Sequence, residues 1–262
     1  MYVVKKYIIN FLLIAIFIQS NLFVQSALNN TELNTSHNIN YIFNIIDDSN
    51  FVSSFYYQPS VFEIKELNNL GAFIAYPLKK ESVLALELDG INSNMFSDIE
   101  ISAKLAHNFD DLFILTISLG YNRIDIKNYS KHDRLTLDFG AKLPISEFLN
   151  IGFAIINLNR GYYKFNNYVN QNGILTFSVQ PMKNLFIDFN SYLDFGESLD
   201  FGFISSYEFD NLLKLKAGFR GNPNIYELGI QVNVWQNNSI GFSWSENDLF
   251  GTNMYYFINI EI

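Results

Sequence analysis

Cysteine is absent from the 262-residue sequence, and charged residues are scarce. Without cysteine the chain cannot be a disulfide-stabilised secreted scaffold, a cysteine-ligated zinc protein or a thiol enzyme. Asp, Glu, Lys and Arg together make up 16% of the residues, whereas a soluble globular domain has about 25%. The sequence therefore has little charge with which to cover a water-exposed surface.

Basic residues are the scarcer of the two charged classes. There are 17 Lys and Arg residues against 26 Asp and Glu residues, which gives a net charge of −9. Nucleic-acid binding requires a basic surface, so we expect no nucleic-acid partner. Hydrophobic residues reach 49% and aromatic residues 17%. These fractions exclude a disordered chain, which has few aromatic residues and abundant charge.

The N-terminal segment has the layout of a secretory signal peptide. Lys5-Lys6 precede an almost unbroken apolar run over residues 7–18, and Val24-Gln25-Ser26 offers a small-residue cleavage site. This order predicts export and cleavage before Ala27. The alternative is a single membrane anchor, but the apolar run is shorter than the roughly 20 residues that a helical bilayer span needs.

From about residue 70 onward, apolar residues alternate with polar or small residues. A period of two is typical of β-strands, and helical spacing is hard to find. The alternating segments cover residues 115–121, 135–143, 226–234 and 254–262, and others are centred near Ile74, Leu86, Ala103, Phe153, Phe177, Phe189, Phe203, Ala217 and Phe242.

The spacing of these strands favours a membrane barrel over a soluble sandwich. Between the strand centres near Ile74 and Ile258 the repeat is about 15 residues, and a membrane strand with its turn needs roughly 12–16. Sandwich strands recur about every 8–12 residues. A soluble secreted β-protein of binding type remains the alternative, and the low charge fraction argues against it.

The links between strands alternate in length. Short links lie at residues 77–81, 107–111, 144–147, 181–184, 209–212 and 236–239. Mostly longer links lie between them, at residues 91–97, 127–133, 158–172, 194–199, 220–225 and 246–252. This alternation is typical of a barrel with tight periplasmic turns at one end and longer loops at the other.

The side of the membrane on which the chain starts predicts one more strand. If the short links are periplasmic, a periplasmic N-terminus requires a further strand within residues 40–66, at either 41–45 or 51–57. We therefore predict an all-β fold, a transmembrane antiparallel up-and-down β-barrel of about 14 strands. The predicted organisation is a signal peptide at residues 1–26, a polar periplasmic lead at 27–39 and the barrel at 40–262.

The strand pattern assigns polar side chains to the interior of the barrel and apolar ones to lipid. The polar residues predicted to face inward are Glu87, Glu100, Lys104, Asp138, Lys142, Asp188, Asn190, Glu208, Lys214, Lys216, Glu227, Gln231 and Glu261. Lys214 and Lys216 can pair across strands with Glu208 or Glu227. Two interpretations stay open: these charges satisfy one another and fill the interior, or they line a polar path for a solute.

No pattern in the sequence indicates catalysis, and we predict neither catalytic, cofactor-binding nor metal-binding residues and no cofactor. His37, His107 and His132 lack the spacing of metal ligands. Phosphate loops and hydrolase or metalloprotease motifs are missing. We interpret Asp47-Asp48 and Asp110-Asp111 as solvated loop residues, with a calcium role as the alternative.

Three segments carry a resemblance to a known family. The segment 218–229, with Gly218, Asn222-Pro223, Tyr226 and Gly229, resembles the late "G-F-x-x-N-P-x-x-[YF]-x-x-G" hairpin of the PorV/PorQ group of FadL-like outer-membrane barrels. Residues 249–253 are loosely similar to that group's "L-G-x-[TS]-H" turn. Residues 97–121 are similar to its "E-x-x-x-x-x-A-x-x-L…L-x-[IV]-G" strand pair, and the likeness spans roughly residues 50–262.

The resemblance implies a fourteen-stranded barrel in the bacterial outer membrane, with both termini in the periplasm. It also implies a non-catalytic, secretion-associated barrel of the type IX system that docks partner proteins. The expected partners are outer-membrane lipid and secretion-system or cargo proteins. The alternative function is a FadL-like transporter or passive channel for hydrophobic or small solutes. The ligand-binding residues stay unknown at this stage.

Overall fold

The structure is a computed structural model, and it describes residues 51–61, 64–79, 81–159, 171–194, 199–210, 212–221, 224–235, 238–249 and 251–261. The predicted signal peptide, the periplasmic lead and the candidate strand at residues 41–45 lie outside the described residues. Within the described ranges, no helix is long and apolar enough to cross a membrane.

The described residues form fourteen β-strands. In chain order they are β1 (Val52–Gln58), β2 (Asn68–Lys79), β3 (Ser82–Asn92), β4 (Phe96–Phe109), β5 (Phe113–Ile126), β6 (Ser130–Ser146), β7 (Leu149–Ile156), β8 (Asn172–Met182), β9 (Leu185–Asp194), β10 (Leu199–Phe209), β11 (Leu213–Gly221), β12 (Asn224–Trp235), β13 (Asn238–Asn247) and β14 (Gly251–Glu261).

The strands close into a single antiparallel barrel. Each strand pairs with its neighbours in the sequence, and β1 pairs with both β2 and β14. At the closing seam Val52 lies opposite Glu261, and Tyr57 lies opposite Tyr256. Closure gives both edges of the sheet a hydrogen-bonding partner, which a strand in lipid requires. The predicted fourteen-stranded up-and-down barrel is confirmed.

The strand predictions agree closely with the structure. The alternating segments from residue 70 onward fall within β2 to β14, except for residue 262, which lies outside the described residues. Of the two candidates for the additional strand, residues 51–57 are confirmed, because β1 covers Val52–Gln58. The chain enters β1 and leaves β14 at the end of the barrel that carries the links β2–β3 and β12–β13. We call this the short-turn end.

The predicted alternation of link lengths was only partly right. All the links at the short-turn end are short, as predicted. At the opposite end, residues 59–67 and 157–171 are long links. The other five links at that end are shorter than predicted, so the prediction of long links there was wrong. The links found there are residues 93–95, 127–129, 195–198, 222–223 and 248–250. Backbone pairing continues past the apolar pattern there, because ladder hydrogen bonds do not depend on apolar side chains: Arg123 still pairs with Asp133.

Burial alternates along the strands, and the apolar face is the exposed one. In β3 the side chains of Leu84, Leu86 and Leu88 are exposed, while those of Ala85 and Glu87 between them are buried. A soluble sandwich would bury the leucines, because a large exposed apolar surface is unfavourable in water. The outer surface is therefore suited to lipid, and the buried face lines the interior.

Two interior glycines accommodate aromatic rings from neighbouring strands. A Cβ atom at Gly71 would overlap the ring of Tyr56, and one at Gly241 would overlap the ring of Phe257. Tyr56 and Phe257 are themselves opposite each other across the β1–β14 seam. The two rings therefore lie flat against the inner wall on either side of the closing strands, where any larger side chain at the glycines would displace them.

Candidate functional site

The candidate functional site is the interior of the barrel. The alternation of burial places there every polar side chain that the sequence analysis assigned to it. A shallow apolar groove of about 770 Å³ lies on the outer wall over β1, β2 and β12–β14. That groove faces the membrane side of the barrel, where hydrocarbon is the expected solvent, so the interior is the surface available for recognising a solute.

On the β3–β6 side, buried charges occur in partnered groups. Lys104 on β4 forms an ion pair with Glu87 on β3, and Ser102 donates a hydrogen bond to the same carboxylate at 3.5 Å. The hydroxyl of Tyr56 reaches across Gly71 and donates to Asp89. A buried carboxylate is tolerated only when it has such partners.

Further along β4, two more carboxylates face the interior. Asp98 accepts a hydrogen bond from the Nδ2 atom of Asn122, at 2.6 Å. The carboxylate of Glu100 lies 3.9 Å from the guanidinium of Arg134, and its side chain is 22% exposed. Glu100 can therefore be reached from the space inside the barrel, unlike Asp89, which Tyr56 covers.

The β9–β12 side has a second group of ion pairs. Arg220 on β11 forms an ion pair with Asp200 on β10, and its guanidinium lies 4.3 Å from the ring centroid of Tyr192 on β9. The predicted pairing of Lys214 with Glu208 is confirmed, at 2.5 Å. Lys216 interacts electrostatically with Glu227, as predicted, and also with Asp188.

The wall around the closing seam is polar but mostly uncharged. Gln58 donates to Asn253 at 2.8 Å, and Ser54 donates to Asn259 at 2.7 Å. Gln231 donates to Ser239 at 2.8 Å. Amide and hydroxyl side chains thus satisfy one another across β12, β13, β14 and β1, and the charged side chains that face inward on this wall are Glu227 and Glu261.

The interior also has an apolar zone near the short-turn end. Its members on β1 to β5 are buried, inward-facing and packed in one hydrophobic cluster: Val52, Phe73, Ala75, Val83, Ala85, Ala106 and Ile114. On β7–β9 the cluster continues through Ala154, Ile174 and Tyr192, which lie towards the opposite end of the barrel. On β3 this apolar zone gives way directly to Glu87 and Asp89. The interior wall of β1–β5 is therefore apolar near the short-turn end and polar beyond it, whereas the wall of β6–β11 carries Lys142, Glu208 and Lys214 near that end.

Four charged residues on the outer face of β5 and β6 lie above the apolar belt of these strands. Lys131 lies 2.7 Å from Asp125, Arg123 lies 3.8 Å from Asp133, and Tyr121 donates to Asp133 at 2.6 Å. These groups are largely exposed. They mark the level at which the outer surface leaves hydrocarbon and enters water, with Tyr121 at the boundary as membrane-interface aromatics usually are.

The histidines do not assemble a catalytic or metal site in the described part of the chain. His107 forms a 2.8 Å hydrogen bond with Ser82 and an edge contact with Phe109 beside a short turn. His132 faces inward on β6, and His37 lies outside the described residues. No group of three or more His, Asp or Glu side chains among the described residues could hold a metal ion.

The acid pairs of the sequence do not form a calcium site in the described residues. Asp110 and Asp111 occupy the β4–β5 turn with φ of 53° and 58°, a backbone conformation that Asp and Asn tolerate. Asn108 fixes this turn, since its amide donates to Asp111 at 2.7 Å and its oxygen accepts from the Asp111 backbone at 3.1 Å. Asp47-Asp48 lies outside the described residues.

Sequence reasoning missed several interior residues. Asp98, Arg134, Asp200 and Arg220 lie near strand ends that the sequence analysis treated as links or their borders, and Asp89 precedes a glycine. These residues would have been identified by continuing the alternation of inward and outward side chains two or four residues beyond each apolar run. The contact of Tyr56 with Asp89 spans three strands, and no local sequence signal indicates it.

Comparisons with known proteins identify the fold but no family. No protein-family model matches the chain, and no curated protein matches its sequence. Among solved structures, the toluene transporter TbuX of Ralstonia pickettii is similar with a TM-score of 0.58 at 8% identity, covering 81% of this chain and 88% of that chain. The outer membrane protein Omp33 of Acinetobacter baumannii is similar with a TM-score of 0.55 at 11% identity, covering 82% of this chain and 98% of that chain. The fold is that of outer-membrane β-barrels.

We predict that Asp200→Asn strongly destabilises the barrel. Arg220 and Asp200 are each 6% exposed, and removing one partner of a buried ion pair costs about 3–5 kcal/mol because the other charge stays buried. The matched control is Glu208→Gln, since the Glu208–Lys214 pair is about 30% exposed and such pairs contribute about 0–1 kcal/mol. Urea unfolding in lipid vesicles measures both. Equal losses in the two variants would contradict the assignment of Asp200–Arg220 as the buried pair.

Proposed function

We propose that the protein is a non-catalytic barrel of the bacterial outer membrane that passes small hydrophobic or amphipathic solutes. The observation that carries this proposal is the division of the interior wall of β1–β5 into an apolar zone at the short-turn end and a polar zone beyond it. A water-filled pore for polar solutes has no use for an interior apolar zone. A solute with an apolar body and a polar head matches both zones.

The location in the outer membrane is supported by three independent features. The exposed faces of the strands are rich in Leu, Ile, Phe and Tyr, the first residues have the layout of an export signal, and the fold is that of outer-membrane barrels. TbuX is described as a toluene transporter. Its fold likeness supports a transport role here, while the solute is inferred from the interior of this chain alone.

Uptake into proteoliposomes tests the proposal. Phenyl glucoside and methyl glucoside share a neutral sugar and differ in the apolar group. We expect phenyl glucoside to enter faster, because its ring gains the apolar zone, whereas a simple aqueous pore favours the smaller methyl glucoside. Rapid filtration with protein-free vesicles as the blank gives both rates. Equal rates, or faster entry of methyl glucoside, would contradict the proposal.

Matched valine variants test which part of the barrel causes the preference for phenyl glucoside over methyl glucoside. Val83→Thr places a hydroxyl in the interior apolar zone, and Val232→Thr makes the same change on the outer face of β12. We expect Val83→Thr to reduce the preference for phenyl glucoside several-fold and Val232→Thr to leave it unchanged. A loss in both variants would show that the effect comes from folding, not from the interior.

A second proposal is the secretion-associated docking role that the sequence resemblance implies. It is favoured by bulky apolar side chains on the rim at the short-turn end, including Leu112, Phe148, Leu212 and Trp235, the last 74% exposed. Such a rim suits contact with a protein partner or with the membrane interface. Mild detergent extraction followed by affinity capture should recover secretion-system or cargo proteins, and should lose them in Trp235→Ser. A partner-free preparation of the wild type contradicts this role.

A further inference from the structure

The outer face of the β5–β6 hairpin changes from apolar to charged at the end of the barrel opposite the short-turn end. Leu119 and Tyr121 face outward on β5 and are exposed. Beyond them the same face of the hairpin carries Arg123 and Lys131, and Lys127 lies exposed in the turn between the two strands. We call these three cations the hairpin patch.

The hairpin patch is locally positive on a chain that is acidic as a whole. The net charge of the chain is −9, whereas the three cations of the patch have two carboxylates beside them, Asp125 and Asp133. Arg134 and Arg220, the other arginines of the described strands near this end, face the interior. The cations that the outer surface offers here are therefore concentrated on one hairpin.

The ion pairs within this region are weak enough for a stronger anion to compete. Lys131 lies 2.7 Å from Asp125, and the closest approach of Arg123 to Asp133 is 3.8 Å, through Nε. The carboxylate of Asp133 also accepts a hydrogen bond from Tyr121, at 2.6 Å. Exposed pairs of this kind contribute little to stability, because water screens them. A phosphate group offers more charge and more acceptor oxygens than a single carboxylate.

The register places the two strand cations close enough to share one anion. Arg123 lies opposite Asp133, and Lys131 is two residues further along the same face of β6. Side chains in this diagonal relation are about 7–8 Å apart at their bases, which long side chains can bridge. Arginine suits such a site, because its planar group of N–H donors matches the oxygens of a phosphate.

The surface below the hairpin patch is suited to hydrocarbon. Leu119 is 63% exposed and Leu135 is 68% exposed, and both face outward on the side of the patch that is nearer the middle of the barrel. Tyr121 lies opposite Leu135, between the leucines and the cations. An acyl chain against the two leucines would place its headgroup at the level of the hairpin patch.

We propose that the hairpin patch binds the phosphate headgroup of a membrane lipid, with the acyl chains of that lipid lying along Leu119 and Leu135. This site is on the outer wall, so it goes beyond the passage of solutes through the interior. It depends only on the proposed location of the barrel in the outer membrane. A free phosphate ion makes the polar contacts without the apolar ones and binds more weakly.

Native mass spectrometry of the full chain in a non-ionic detergent tests the proposal with three probes. Dioleoyl phosphatidic acid has the phosphate and the acyl chains, dioleoylglycerol has the same chains without the phosphate, and inorganic phosphate has no chains. We expect an adduct with phosphatidic acid and none with the other two at the same concentration. In Arg123→Gln with Lys131→Gln, we expect the affinity to fall about fivefold for each cation removed.

Two further double variants serve as controls. Lys65→Gln with Lys183→Gln removes the same charge from exposed links elsewhere on the barrel, and we expect the affinity for phosphatidic acid to be unchanged. Asp125→Asn with Asp133→Asn removes the competing carboxylates. We expect this variant to bind phosphatidic acid more tightly, a gain that a folding defect cannot produce.

Three results would overturn the inference. They are equal binding of dioleoylglycerol, equal binding of inorganic phosphate, and an unchanged affinity for phosphatidic acid when both strand cations are replaced. Each of them leaves the proposed function standing, because binding in detergent is measured independently of uptake into proteoliposomes.

Discussion

The structure depends on one constraint: in hydrocarbon, no water is present to satisfy an unpaired backbone N–H or C=O group. A β-sheet can meet this condition only by closing on itself, and here β1 closes it by pairing with β14. Closure also fixes the register, since shifting one strand by a single residue would turn its whole set of side chains to the other face. The pairing of Val52 with Glu261 at the seam therefore determines which residues meet lipid and which meet the interior.

The unusual composition follows from this arrangement. A barrel turned apolar side out has no need of a charged outer belt, which explains why charged residues make up only 16% of the chain. Most charges that the strands do carry lie inside, where they occur with partners such as Lys104 with Glu87 and Arg220 with Asp200. The first of the two sequence interpretations, mutual satisfaction, thus holds for these pairs.

The fold could be predicted from the sequence to a large extent, because alternation with a period of two persists wherever one face meets lipid. The segment 115–121 and its partner 135–143 show this clearly, and both lie within the predicted strands. The alternation of apolar and polar residues weakens where a strand extends beyond the lipid. Arg123 and Asp133 are polar on the outer face, so the apolar pattern ends there, although the ladder continues to Ile126 and Ser130.

The interior was less predictable, because its contacts join residues far apart in the sequence. Lys214 and Glu208 belong to one hairpin, and their pairing could be anticipated from parity. The contact between Tyr56 and Asp89 requires that the strand between them carries Gly71 at the crossing point. The buried hydroxyl of Thr116 has no hydrogen-bond partner in the described structure, and this likewise depends on its two strand neighbours, Ala106 and Gly140, being small. Neither condition can be recognised without knowing the register.

Because the chain has no cysteine, single-cysteine labelling in intact membranes tests the apolar-out barrel most directly. Cysteine is introduced in turn at Ile117, Ser118, Leu119 and Gly120 on β5, and each variant is treated with a lipid-soluble and a membrane-impermeant maleimide. The account predicts that residues 117 and 119 react with the lipid-soluble reagent and that 118 and 120 do not. The opposite alternation, or uniform labelling by the impermeant reagent, would contradict it.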